Sequence, residues 1–172
     1  MTKLCVIIDR IVLGSVESLF SNYGFEVKKD TSEPSPHDRF AVIGFGGDDI
    51  RGAIAIGMDN VMLETFAAQF AVDVGPVDSD DLLAEWANQL MGLVKTELVR
   101  YGATFGISLP MVVRGVEVRI CGSSREDVRA LRFRGGGATM SVLFDATCTP
   151  DFSLGATVDE SASAAQGDVL IF

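Results

Sequence analysis

The sequence predicts an α+β fold built on a mainly antiparallel sheet, with two long helices and one short one. Three observations carry this expectation. Apolar residues recur at helical spacing over residues 4–23 and again over 80–101. From residue 102 onward the apolar pattern changes to period two, punctuated by Gly and Pro. Helices and strands are grouped rather than strictly alternating, which favours hairpins over parallel crossover units. The 172 residues, 48% apolar and 22% charged, suffice for one domain with a substantial core.

The elements follow in order. Val6, Ile7, Ile11, Val12, Val16, Leu19 and Phe20 make the stripe of the first helix, and Gly24 stands where a C-cap is expected. Residues 25–29 read as a short strand, and 31–37 as a turn-rich loop holding Pro34 and Pro36. Residues 40–45 and 52–58 read as two strands joined through Gly46-Gly47-Asp48-Asp49, a rather long hairpin connection. Residues 61–70 read as the short helix and 71–77 as a linker, with Asp78 or Ser79 capping the second long helix. Beyond Gly102, residues 105–109, 112–120, 130–135 and 138–144 read as strands. Pro110 separates the first two, and Gly135-Gly136-Gly137 turns the last two into a hairpin. Residues 1–148 form the expected domain and 149–172 a C-terminal extension. Within the extension, 157–167 is small, polar and acidic, with too little apolar surface to fold alone. The apolar block Val169-Leu170-Ile171-Phe172 reads either as a terminal strand or as a docking peptide on a flexible tether.

Charge and composition exclude several functions. A net charge of -10 is a poor match for nucleic acid or an anionic membrane, so neither is an expected partner. The apolar run from Leu4 to Leu13 is broken by Asp9 and Arg10, which suits neither a secretion signal nor a membrane span. Cys5, Cys121 and Cys148 are scattered and odd in number. They read as thiols in a reducing compartment, and a cytoplasmic location is expected. His37 is the only histidine, so no zinc site is expected. A Ser-His-Asp or Cys-His triad would have to use it, and a proline-flanked loop gives no rigid mount. Gly44-Phe45-Gly46-Gly47 opens no helix, which argues against a phosphate-binding loop. The short acidic clusters lack calcium-loop spacing.

The candidate site lies on the second long helix. Leu82, Trp86, Leu90, Leu93, Val94 and Tyr101 fall on one side of it, while Glu85, Asn88 and Gly92 share the other. A carboxylate and an amide thus point outward side by side, next to a flat surface. A glycine inside a helix costs about 1 kcal/mol relative to alanine. A partner surface pressed on this stripe would offset that cost; a solvated face with a glycine at a close packing contact would look the same.

Three stretches resemble the CheX/CheC class of chemotaxis phosphatases. Glu85-Trp86-Ala87-Asn88-Gln89-Leu90-Met91-Gly92 is similar to that family's Glu-x-x-Asn-x-aliphatic-x-Gly helix. The stretch from Gly106 to Gly115, with Leu109-Pro110, is similar to the strand that follows it. Gly52-Ala53-Ile54-Ala55-Ile56-Gly57-Met58-Asp59 is similar to the strand ahead of the helices. Trp86 stands where the family usually has a small aliphatic residue, and the first helix offers only Glu17 and Asn22, which do not share a face. The resemblance is therefore to the single-site CheX type. It implies a phosphatase acting on the aspartyl phosphate of a CheY-like receiver, with Glu85 and Asn88 as catalytic residues and Gly92 in the partner-facing surface. It also implies a homodimer that joins sheets, with the strands at 112–120 or 138–144 as candidate exposed edges, no cofactor or metal of its own, and Mg2+ supplied by the receiver. A non-catalytic receiver-binding or flagellar-switch adaptor of the same fold is the alternative.

Overall fold

A computed structural model of the chain describes residues 3–31, 36–118, 120, 129–135 and 138–149. Three helices, α1 (Lys3–Asn22), α2 (Asn60–Val74) and α3 (Ser79–Arg100), accompany seven strands. The strands are β1 (Lys28–Asp30), β2 (His37–Gly46), β3 (Ile50–Met58), β4 (Gly106–Ile107), β5 (Met111–Val118), β6 (Arg129–Gly135) and β7 (Ala138–Cys148). They join in one antiparallel sheet in the order β1-β6-β7-β3-β2, with β4 and β5 sharing the outer edge of β2. The α+β architecture is thus the one the grouped pattern predicts.

Strand alternation builds the core. Ala41, Ile43 and Phe45 of β2 face the same way as Ile54, Ile56 and Met58 of β3 and Met140, Val142 and Phe144 of β7. The apolar stripes of the helices close over that face, with Val12, Val16, Phe20, Leu83, Trp86, Leu90 and Val94 wholly buried. α1 ends as expected at Gly24, whose φ of +78° needs a residue without Cβ, and the amide of Phe25 caps the carbonyl of Phe20 at 2.9 Å.

Four expectations need correction. Residues 71–74 continue α2 instead of forming a linker, because nothing in them breaks a helix. The stop comes at Gly75, with φ +89° and its N–H bonded to the Ala71 carbonyl at 3.1 Å. The strand expected at 105–109 shrinks to β4, since the Ser108 side chain takes over where the ladder ends. Its hydroxyl accepts from the Gly44 amide at 3.0 Å. β7 runs on to Cys148 and lies inside the sheet between β6 and β3, so it is no exposed edge. His37 opens β2 rather than sitting in a loop, and a register irregularity between His37 and Arg39 turns it out of the normal alternation. Residues 150–172, which hold the small polar segment and the terminal apolar block, lie outside the described residues, as does the turn at 136–137.

Candidate functional site

The site helix is fixed at its start by capping. The Asp78 side chain accepts from the amides of Asp80 at 2.7 Å and Asp81 at 3.4 Å, leaving fewer orphan donors. Those two amides hold the Asp78 carboxyl below its ordinary value of 3.8. Arg39 of β2 then ties α3 to its neighbours. Its guanidinium donates to Ser79 at 2.5 Å, to Asp80 at 2.9 Å and to Glu64 of α2 at 3.0 Å. Arg114 of β5 pairs with the other oxygen of Asp80, and that bond raises the guanidinium's already high pKa. Four elements are therefore joined at one end of the helix.

The middle of α3 is anchored by Trp86. Its ring is wholly buried and meets Phe20, Tyr23, Phe66 and Phe70 edge-on, with centroids 5.2–6.2 Å away. Such edge-to-face pairs contribute about 0.5–1.5 kcal/mol each beyond burial. Among the described residues the indole N–H has no hydrogen-bond partner, an orphan the aromatic packing must outweigh. The large ring thus fills the ground beneath the helix with an aromatic cluster.

The opposite side of α3 carries the expected residues. Glu85 and Asn88 are exposed, one turn apart, on the same outward stripe as Gly92. A Cβ added at Gly92 would meet nothing within 4 Å. No close packing contact among the described residues therefore accounts for the glycine. Glu85 is held on one side. Its Oε1 accepts from Nε2 of Gln89 at 2.6 Å, and the hydroxyl of Tyr23, just past the end of α1, donates to Oε1 of Gln89 at 2.9 Å. Sequence reasoning passed over Gln89 and Tyr23. The spacing of four between Glu85 and Gln89 was a visible signal, whereas the Tyr23 contact depends on how α1 crosses α3. Beyond Gly92, Arg10, Gly14, Ser15 and Ser18 of α1 face Leu93 and Thr96 of α3 and its C-cap Tyr101 across a groove of about 290 Å³.

His37 departs from its expected setting. Its side chain is wholly buried, with Nδ1 2.8 Å from Asp59 Oδ1 and Nε2 2.8 Å from Ser141 Oγ. The mount that the proline-flanked loop argued against is therefore present. Ser141 is itself only 5% exposed and sits within an interior strand, so its hydroxyl faces packed protein instead of a substrate. The row joins β2, β7 and the start of α2, and its geometry serves structure, not acyl transfer. Among the described residues no cluster of three or more His, Cys, Asp or Glu could hold a metal ion, and no helix is long and apolar enough to cross a membrane.

Comparison with known proteins places this arrangement in context. No curated protein matches the chain. Among solved structures, the chemotaxis protein CheX from Vibrio vulnificus superposes with a TM-score of 0.70 at 18% identity, over 81% of this chain and 96% of that one. The CheX-CheY-BeF3-Mg2+ complex from Borrelia burgdorferi gives 0.60 at 19% identity, over 80% and 96%. The FliM middle domain from H. pylori gives 0.54 at 13%, over 84% and 93%. At these identities the likeness is one of fold. The family model described as chemotaxis phosphatase CheX matches residues 39–134, more than half of the chain and the whole of the site helix. The chain belongs to the CheX family.

Proposed function

We propose that the chain dephosphorylates the aspartyl phosphate of a CheY-like receiver, with Asn88 and Glu85 as its working pair. The observation that carries this reading is the outward pair on a rigid, capped helix, beside a glycine whose surroundings are open. Family membership supports it, and so does the Borrelia complex, in which a CheX is assembled with CheY, BeF3 and Mg2+.

The chemistry asks little of this chain. Phosphoryl transfer needs a water in line with the breaking bond and charge already neutralised. Mg2+ held by the receiver would supply that neutralisation. The Asn88 carboxamide both donates and accepts hydrogen bonds, so it can orient a water without placing charge beside the phosphate. Glu85 cannot take that task, because a carboxylate repels the phosphoryl oxygens. It pairs instead with a cation on the receiver and fixes the docking register. The bare surface at Gly92 lets the receiver approach the helix closely.

Loss of phosphate from candidate phosphorylated receivers tests the proposal. Asn88→Ala should slow it at least about a hundredfold, on the order of 3 kcal/mol in the barrier, while sparing binding. Glu85→Ala should weaken docking as well as rate. Near wild-type turnover by the Asn88 variant would overturn the assignment. The FliM likeness favours a second reading, a non-catalytic adaptor binding a receiver through the same face. In that case the wild-type chain binds the receiver but releases no phosphate.

A homodimer belongs to the same proposal. β5 is an outermost strand, and its Met111 and Val116 are 61% and 89% exposed. Unpaired strand edges favour pairing across a two-fold axis. Light scattering at micromolar concentration reads this directly, and a monomer would refute it.

A further inference from the structure

We infer that Gln89 and Tyr23 are positioning residues that hold the Glu85 carboxylate in its docking rotamer; this rests on the function proposed above. Glu85 is exposed, and a free glutamate on a helix surface samples several rotamers. All but one must be given up when a partner binds, at a cost in side-chain entropy. Here the choice is made in advance. Gln89 Nε2 donates to Oε1 of Glu85 at 2.6 Å, and Oε2 has no such bond to Gln89. A carboxylate only accepts, so it draws the nitrogen end of the Gln89 amide. The Tyr23 hydroxyl holds the other end by donating to Oε1 of Gln89 at 2.9 Å, which keeps Nε2 on Glu85.

Tyr23 is itself held. Its ring packs edge-on against Trp86 at 5.7 Å and against Phe70 at 5.2 Å. The large ring of Trp86 thus has a consequence at the surface. It seats Tyr23, Tyr23 orients Gln89, and Gln89 fixes Glu85. A lysine or arginine on the partner then meets a carboxylate already aimed, with one oxygen held and the other open.

The test has two arms. In the unbound chain, proton NMR of the 15N-labelled Gln89 side-chain amide should show one shifted, exchange-protected proton. That signature should disappear in Glu85→Ala and weaken in Tyr23→Phe, which keeps the ring. A Gln89 amide that behaves as fully solvated in the wild type overturns the inference. In the second arm, phosphorylated CheY-type receivers are the substrate. Gln89→Leu should raise KM about fivefold with a smaller change in kcat, and Tyr23→Phe should raise it about twofold. The same Gln89→Leu change made on top of Glu85→Ala should cost nothing further. An equal cost in both backgrounds means a merely structural role and overturns the inference alone. Failure of the wild-type chain to bind or turn over any receiver overturns the functional reading, and this inference with it.

Discussion

Gly92 poses the sharpest question at the scale of single residues, because its helix position costs stability and none of the described residues fills the space beside it. The two substitutions should separate. Gly92→Ala should stabilise the domain by on the order of 0.5–1 kcal/mol, since the new Cβ meets no neighbour. Gly92→Leu should leave the fold intact but block the receiver. A thermal melt and a receiver titration check both, and unchanged affinity in the Leu variant would place Gly92 outside the interface. Glu85, Asn88 and Gly92 were legible because helix periodicity alone sorts a 22-residue helix into two sides. Gln89 was less so. Its partner across the helices, Tyr23, is 66 residues away, and no local pattern states which side chains meet after packing. His37 was misread for a related reason. A proline before it suggests a turn, but Ser141 and Asp59 hold it, and the bond to Ser141 spans 104 residues.

Among elements, α3 depends on how its first turn is held. Asp78 has its folded-state pKa lowered by the Asp80 and Asp81 amides, so it binds those amides best when ionised. The sign follows. A group with a depressed folded pKa contributes stability above its unfolded value, near 3.8, and loses it as pH falls through the lower folded value. Asp78→Ala should therefore lower the melting temperature by roughly 2–4 °C at pH 7. The difference from wild type should fade as pH drops below about 3.8. A difference that stays constant across that range would assign the effect to packing rather than to the cap. At the sheet edge, Val116→Lys on β5 should halve the mass seen by light scattering if β5 joins two copies, because a buried lysine would lack a partner. The existence of α3 and β5 could be read from period and turn residues. That β7 is interior could not be. Alternation gives which face a residue takes but not which strand lies beside it.

For the whole molecule, the fold class was legible because grouping of helices and strands depends only on local pattern. The strand order was not, since no local pattern states that β7 pairs with β3, translated long before it, as well as with its sequence neighbour β6. That order also has a consequence for how the chain assembles. During synthesis the N-terminal segments emerge first, yet β3 finds its β7 partner only when β7 is made, with Ile54 opposite Phe144 some ninety residues later. Until then β3 and β6 each show a bare edge, and the core lacks Met140, Val142 and Phe144. Contacts this distant are costly to close and slow to form, on the scale of milliseconds to seconds for sheets dominated by them. A chain stopped after residue 135 should thus fail to melt cooperatively, although it keeps all three helices and the site itself. Cooperative melting of that fragment, followed by circular dichroism, would show that the helical layer folds without the centre of its sheet. In the intact protein the docking surface proposed on α3 is translated well before β7, so under that proposal docking competence must wait for residues 138–148.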